Sequence, residues 1–219
     1  ISVTGVQTCA LPICLAFREI ELGLDELREL PGLRDGSIII GTLPLARAVI
    51  LPEAVTRLLR LHPDAKVKII DGSYAALLNR LQHGQLDLIL GALRVPAPSG
   101  DIKQEELFEE PLSIVVRVGH PILNGGKATD PANLLGLEWI APNELTPARM
   151  HFSAFFRRHG LPLPDRIIEC SSLVATRGLL LRSDRAALLS ASQIYYEAQA
   201  GQLALAGSAL PGTERPIGL

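Results

Sequence analysis

Hydroxyl side chains stand where several of the predicted strands end and a helix follows. The residues are Thr42 after the strand predicted over Ser37–Gly41, Ser73 after Lys66–Ile70, Thr146 before the helix predicted over Pro147–His159, and Ser171 and Ser172 after Arg166–Cys170. A hydroxyl group beside the free backbone N–H groups of a helix start can hold a polar or anionic small molecule. Because the carboxyl ends of parallel strands lie at one edge of a sheet, the spacing predicts a ligand-binding edge in each half of the chain.

Helix capping is an alternative explanation for the same residues. Ser and Thr are favoured at helix N-caps in any α/β protein, where the side chain accepts a hydrogen bond from a backbone N–H two or three residues further on. Capping explains each loop taken alone, and only the recurrence of the pattern at equivalent places favours a ligand. Both interpretations stay open at the level of sequence.

The histidines, the aspartates and the glycines form no catalytic, metal-binding or phosphate-binding pattern in the sequence. The histidines, His62, His83, His120, His151 and His159, have neither metal-ligand spacing nor a carboxylate partner nearby in sequence. Asp71 and Asp87 are typical of strand and turn edges. No glycine-rich phosphate loop is present. We therefore predict no catalytic residue, no metal site and no cofactor.

Composition and charge indicate a globular protein that does not itself bind nucleic acid. The 219 residues are 47% apolar and 20% charged, which suffices for a sizeable core. A net charge of -2 gives no basic surface for a phosphate backbone. No apolar run reaches the roughly 18 residues of a membrane span, and no Lys or Arg precedes Arg18 as in a secretory signal. We expect a cytoplasmic protein with no membrane contact.

Strands alternate with helices along the first half of the chain, which predicts βαβ units and a parallel sheet in an α/β fold. The predicted elements are strand Ser37–Gly41, helix Leu45–Leu61, strand Lys66–Ile70, helix Tyr74–His83 with Gly84 as its cap, and strand Leu86–Leu90. The segment Arg94–Asp101 is rich in Pro and Gly and is typical of a linker. A second set of elements follows. Its predicted strands are LSIVVRV, Trp139–Ile140, Arg166–Cys170, Ala186–Leu189 and Gln202–Leu205, and its predicted helices are Pro147–His159, Leu173–Leu181 and Ser192–Ala200.

The two ends of the sequence stand apart from this pattern. Residues 3–13, VTGVQTCALPI, match one reading frame of a sequencing adapter, so we treat residues 1–14 as an artefact. Cys9 is then not native, Cys14 lies at the junction, and Cys170 alone offers no disulfide framework. Residues 15–32 contain an amphipathic helix, Leu15–Leu30, outside the main domain. We expect native sequence beyond both ends.

Five stretches of the chain resemble the effector-binding domain of LysR-type transcriptional regulators. They are LRDGSIIIGTLPLARAVILPEAVTRLLRLHPDAKVKIIDG, LLNRLQHGQLDLILGALR, EELFEEPLSIVVRVGHPIL, LLGLEWIAP and the terminal RPIGL. The segments GTLPLAR, LILGALR and WIAPNELTPAR are most similar to the galactose-binding-protein regulator branch. The resemblance implies two Rossmann-like lobes with a ligand cleft between them, like type 2 periplasmic binding proteins. Lobe I would cover residues 33–94, with 213–219 returning to it, and lobe II residues 95–212.

The resemblance also implies which residues contact the effector. In the first lobe these are Thr42, Leu43, Leu45, Ser73, Gly91, Ala92 and Leu93, and in the second Thr146 and Ser171 or Ser172. Leu43, Leu45 and Ala46 are apolar where some members of the family have polar residues, which argues against a small inorganic anion that needs several donors. A sugar derivative or an aromatic or organic acid fits better.

What the resemblance implies is a ligand sensor and not an enzyme. Its partners would be a small-molecule effector, a second copy of the chain in a homodimer or in a higher oligomer of the full-length protein, and DNA through a missing N-terminal helix-turn-helix joined by Leu15–Leu30. A solute-binding receptor for transport is an alternative, which the linker-like helix and the lack of a signal peptide disfavour. An enzyme on the same two-lobed fold is another, which lacks a visible catalytic pair.

Overall fold

The computed structural model describes residues 36–98, 102–124, 130–144 and 146–219. The artefact predicted over residues 1–14 and the linker helix predicted over 15–32 lie outside the described residues. The chain forms two compact units, one of residues up to Glu110 together with Arg215–Leu219, and one of Pro111–Glu214. No helix among the described segments combines the length and the apolar character that crossing a bilayer requires.

The first unit contains a five-stranded mixed sheet. Its elements are β1 (Ser37–Thr42), α1 (Ile50–Leu61), β2 (Lys66–Asp71), α2 (Tyr74–Gln82), β3 (Leu88–Ala92), β4 (Glu106–Glu110) and β10 (Arg215–Gly218). The strand order is β2-β1-β3-β10-β4, with β1 parallel to both β2 and β3 and with β10 antiparallel to β3 and β4. The predicted parallel βαβ units are therefore confirmed, and two antiparallel strands extend them.

The strand β10 determines where the first unit ends. Sequence analysis placed the lobe boundaries at residues 94/95 and 212/213, whereas the compact units divide after Glu110 and Glu214. The physical reason for the difference is the pairing of β4 with β10, in which Ile217 lies opposite Phe108. This ladder keeps the segment that follows the predicted linker in the first sheet.

The helix α1 begins at Ile50 and not at Leu45 as predicted. Pro52 has no N–H, and its ring conflicts with the carbonyl of the residue four positions earlier, so it is tolerated only in the first turn of a helix. Residues 44–49 form turns instead, in which Leu51 N–H donates to the Ala46 carbonyl over 2.9 Å. The apolar pattern of this segment predicts a helix correctly, but it does not predict where the helix starts.

Apolar side chains on alternate strand positions cover both faces of the first sheet. One cluster joins β1 to α1, with Ile40, Ile50 and Leu51 buried together. The other joins β1 to α2 through Leu77, with Ile39 packed against it. The strand β3 begins at Leu88, two residues later than predicted. Just before it, the Asp87 N–H donates to the Ile39 carbonyl, and the Asp87 Oδ2 accepts the Ile39 N–H at 2.6 Å. At this position a side-chain oxygen therefore takes the place of a backbone carbonyl.

A second five-stranded mixed sheet forms the other unit. Its elements are β5 (Ser113–Arg117), α3 (Pro131–Leu135), β6 (Glu138–Ala141), α4 (Pro147–Arg158), β7 (Ile167–Glu169), α5 (Leu173–Leu181), β8 (Arg185–Leu189), α6 (Tyr195–Gln199) and β9 (Leu203–Leu205). The strand order is β7-β6-β8-β5-β9. The helix predicted over Ser192–Ala200 is a 3-10 turn, Ala191–Ile194, followed by α6. The predicted α/β fold class is confirmed.

Aromatic side chains form the centre of the second unit. Trp139 packs edge-on against Phe152 and Phe156, with ring centroids 5.1 and 6.0 Å away. The indole N–H of Trp139 donates to the Leu134 carbonyl over 2.9 Å, which satisfies the buried polar group. This cluster joins β6 to α4 and holds the loop between them, which contains Thr146.

Gly91 provides a test of the packing at the end of β3. It has φ +155, and a Cβ at this position would lie 2.5 Å from the Leu43 Cβ. We expect Gly91→Ala to lower the free energy of unfolding by about 3 kcal/mol, because backbone strain and overpacking add. Gly84→Ala is the control: Gly84 has φ +66 with no neighbour within 4 Å, so only about 1 kcal/mol of strain applies. Urea denaturation followed by circular dichroism gives both values, and equal losses would contradict this account.

Candidate functional site

The loop after β1 is mostly buried. Thr42, Leu43 and Leu45 are 1%, 6% and 4% exposed. The Thr42 hydroxyl donates to the Leu43 carbonyl at 3.4 Å, and Leu43 packs with Leu77 and Leu86 against α2. The two leucine side chains therefore contribute to the cores of the first unit. A ligand at this loop would meet the backbone and the edges of these side chains.

Ser73 lies at the end of β2 as the N-cap of α2. Its Oγ accepts a hydrogen bond from Ala76 N–H at 3.3 Å, and the residue is exposed. Gly91, Ala92 and Leu93 lie at the end of β3, where Leu93 N–H donates to the Pro216 carbonyl. Since β1, β2 and β3 are parallel, these loops share one edge of the sheet, as predicted.

Arg47 is a residue of this edge that sequence reasoning missed. Its guanidinium donates to the carbonyls of Thr42 at 3.1 Å and Gly72 at 3.4 Å, and lies 3.5 Å from the Asp71 carboxylate. The side chain thus links the ends of β1 and β2. Sequence analysis placed Arg47 within a helix that starts at Leu45, where an arginine is typical of the solvent face, so no pattern indicated this contact.

An open groove of about 740 Å³ runs along α2 and β3. Four of the predicted contacts line it, namely Leu43, Gly91, Ala92 and Leu93. Its walls combine apolar side chains such as Leu78 and Ile89 with polar ones, among them the exposed Lys103. The volume falls in the range of small-molecule sites, about 300–1,000 Å³. The groove does not include Thr42, Leu45 or Ser73 among its lining residues.

Two arginines lie close together near the ends of β3 and β10. Burial lowers the pKa of Arg215 to about 10, the nearby Glu110 opposes this, and the positive charge of Arg94 adds to it. Burial also lowers the pKa of Arg94, whose guanidinium lies 4.2 Å above the ring centroid of Tyr74. The two guanidinium groups are therefore partly shielded from water, and the Glu110 carboxylate offsets part of their positive charge.

In the second unit the predicted hydroxyls also lie at helix starts. The Thr146 Oγ1 accepts from Arg149 N–H at 3.2 Å and donates to the Asn143 carbonyl at 2.8 Å. The Ser172 Oγ accepts from Ala175 N–H at 3.3 Å, whereas Ser171 is exposed and is not the N-cap of α5. Both interpretations of these residues therefore remain: capping is observed, and contact with an effector stays a prediction.

A charged side chain joins the two loops of the second unit as well. The Glu169 Oε1, at the end of β7, accepts from Glu144 N–H in the loop after β6 at 2.8 Å. The parallel strands β6 and β7 thus have their carboxyl ends held together, as Arg47 holds those of β1 and β2. Such a link between adjacent strand ends is therefore present among the described residues of both units.

The side chains of His83, His120 and His159 form hydrogen bonds with backbone groups. His120 is 2% exposed; its Nδ1 accepts from Ile122 N–H and its Nε2 donates to the Asp184 carbonyl, both at 3.0 Å. His83 and His159 follow helices and donate to carbonyls of the last turn. His120 and Asp184 also line a second open pocket of about 640 Å³, next to apolar residues such as Ile122 and Leu137.

Two α/β units, each with a five-stranded mixed sheet, are the architecture of type 2 periplasmic-binding-protein-like domains. Residues 31–219 match the family of the LysR substrate binding domain, and the chain belongs to this family. The HTH-type transcriptional regulator GalR of Pseudomonas putida is 36% identical over 211 residues, which cover 95% of this chain and 52% of that protein. The regulator GbpR of Azospirillum brasilense is 29% identical over 160 residues, 73% of this chain and 47% of that protein.

A solved structure of similar fold contains a ligand. The effector-binding domain of BenM with its effector benzoate has a TM-score of 0.64 and 25% identity, and covers 83% of this chain and 81% of that one. The chain spans about half the length of the two regulators it matches. The relatives are named as transcriptional regulators, which agrees with the sensor predicted from sequence. The specific branch within the family stays a prediction.

Removal of the capping hydroxyls should lower stability. We expect Ser73→Ala, Thr146→Ala and Ser172→Ala each to lower the free energy of unfolding by about 1 kcal/mol, since each leaves a helix N–H without its acceptor. Ser171→Ala is the control and should have almost no effect, because Ser171 is exposed and does not cap the helix. Urea titrations of the four variants provide the comparison. A loss at Ser171 equal to that at Ser172 would show that capping is not the cause.

Proposed function

We propose that this chain is the effector-sensing part of a LysR-type transcriptional regulator. In this proposal a small organic molecule binds at the strand ends that carry Thr42, Ser73, Thr146 and Ser172, and a DNA-binding domain outside this chain responds. The observation that carries the proposal is the family match over residues 31–219, with the predicted hydroxyls at parallel strand ends in both units. The ligand acts by shifting the population between two conformations, for which it must bind one of them more tightly.

The two alternatives receive less support. The regulators that match this chain over most of its length disfavour a transport receptor. An enzyme would need catalytic side chains that lie close together. The side chains of His83, His120 and His159 instead each form a hydrogen bond with a backbone carbonyl. A cytoplasmic location follows from the proposed role in transcription.

The surroundings of the site favour a ligand with an apolar body. Leu43, Ala92 and Leu93 offer apolar surface along the groove, and Ser73 at the same sheet edge offers a hydroxyl group. BenM has benzoate as its effector. Benzoate as an aromatic acid and D-galactose as a sugar are therefore the first probes, within a wider set of aromatic acids and sugars.

Binding affinity separates effector contact from capping. We expect a member of this set to raise the melting temperature of the protein, and Ser73→Ala and Thr146→Ala to weaken its binding by about tenfold, as the loss of a hydrogen bond predicts. Isothermal titration measures the affinity. Asp130→Ala is the matched control, because Asp130 caps α3 through Ala132 N–H but is not a predicted contact. Its affinity should match the wild type, and unchanged affinity in both hydroxyl variants would overturn the site.

Homodimer formation is the second part of the proposal, and α1 with β2 is the surface that supports it. Leu59 and Leu61 of α1 are 38% and 60% exposed, and Ile69 of β2 is 49% exposed. The strand β2 is an edge of its sheet, whereas β3 lies between β1 and β10. Val49, Ile50 and Leu51 are buried, so the apolar surface of this helix segment that is left for a partner lies toward its end, at Leu59 and Leu61.

A charge on this surface should prevent association. We expect the wild type to sediment as a dimer at about 50 μM and the double variant Leu59→Glu, Leu61→Glu to sediment as a monomer, because burying two carboxylates in an apolar contact is unfavourable. Leu163→Glu is the control, since Leu163 is 42% exposed and belongs to the other unit. A monomeric wild type, or a double variant that still dimerises, would refute the interface.

A further inference from the structure

Arg47 lies over the end of β1 because the chain does not enter a helix directly after that strand. Residues 44–49 form turns, and α1 begins only at Ile50. The turns place the Arg47 guanidinium beside two strand ends, where its Nη2 donates to the carbonyls of Thr42 and Gly72 at 3.1 and 3.4 Å. One side chain therefore contacts two loops that are distant in sequence.

The guanidinium of Arg47 is largely enclosed at this place, and the side chain as a whole is 33% exposed. Its Nε is buried and has no hydrogen-bond partner among the described residues, while Nη1 lies 3.5 Å from the Asp71 carboxylate. A buried donor without a partner costs free energy. An arginine that reaches into solvent avoids this cost, so the contacts of the other two nitrogens with the strand ends outweigh it here.

The two loops that Arg47 links carry predicted effector contacts. Thr42 is the last residue of β1, and Ser73, which follows Gly72 directly, is the exposed N-cap of α2. Arg47 is not among the residues that line the groove along α2 and β3. A loop that is already held in place loses less conformational entropy when a ligand binds. The position of Arg47 therefore suits an effect on binding that passes through its neighbours.

We infer that Arg47 is a positioning residue for the effector: it raises the affinity by fixing the loop of Ser73 against the end of β1, without touching the ligand itself. This inference rests on the proposed function and adds a residue that the resemblance to the family did not indicate. Methionine at this position keeps an unbranched side chain but has no donor. Lysine keeps a positive charge and donors on a flexible chain, without the planar fork of the guanidinium.

Binding affinity measured beside stability tests this inference. Benzoate and D-galactose are titrated by calorimetry into the wild type, Arg47→Met, Arg47→Lys, Ser73→Ala and the double variant Arg47→Met, Ser73→Ala. We expect Arg47→Met to bind a probe about tenfold more weakly than the wild type, and Arg47→Lys to lose less. Because Arg47 acts through Ser73, the loss in the double variant should be smaller than the product of the two single losses. Melting curves check that each variant is folded.

Arg80→Met is the matched control, because it makes the same substitution at an exposed position of α2 in the same unit. It should bind as the wild type does, and its loss should combine with that of Ser73→Ala without any coupling. An affinity of Arg47→Met equal to that of the wild type, or a double variant in which the two losses multiply fully, overturns the inference and leaves the proposed function intact.

Hydrogen exchange tests the same link without a ligand. The N–H groups of Ala76 and Leu77 bond to the Oγ and the carbonyl of Ser73, so their exchange reports how firmly this loop is held. Both should exchange faster in Arg47→Met than in the wild type and in Arg80→Met. If neither probe binds the wild type, it is the proposed function that fails, and unchanged exchange in Arg47→Met is the result that overturns the role of Arg47 in fixing the loop.

Discussion

The parallel pairing of β1 with β2 and β3 is the constraint on which the candidate site depends. Parallel strands need a crossover helix between them, and each helix starts where a strand ends, at the same edge of the sheet. The ends of β1, β2 and β3 therefore bring together Thr42, Ser73 and Leu93, which are far apart in sequence. The second unit repeats this arrangement with β6 and β7, whose ends precede Thr146 and Ser172.

The strand ends are held in place by charged side chains. Arg47 donates to two carbonyls, at Thr42 and Gly72, and Glu169 accepts the N–H of Glu144. Hydrogen bonds to a charged partner are stronger than those between neutral groups. A loop fixed in this way loses less entropy when a ligand binds, so such links favour a preformed site.

Capping and ligand contact are compatible roles for one hydroxyl. The Oγ of Ser73 accepts one hydrogen bond, from Ala76 N–H, and a hydroxyl has a second acceptor position and one donor. The exposed position of Ser73 leaves these groups within reach of a ligand.

The sequence by itself determined the fold class, the alternation of strands and helices, and the hydroxyls at the strand ends, because these depend on local periodicity and on turn chemistry. It did not determine the strand β4, whose pairing with β10 joins residues more than a hundred positions apart. The start of α1 at Ile50 was also missed, although Pro52 conflicts with a carbonyl only four positions earlier and so limits the helix locally. The contacts of Arg47 and Arg94 were decided by tertiary structure alone. Their partners are Gly72 for one and Tyr74 and Gln104 for the other, and only the packing of separate loops at one sheet edge brings these groups within hydrogen-bonding or stacking distance.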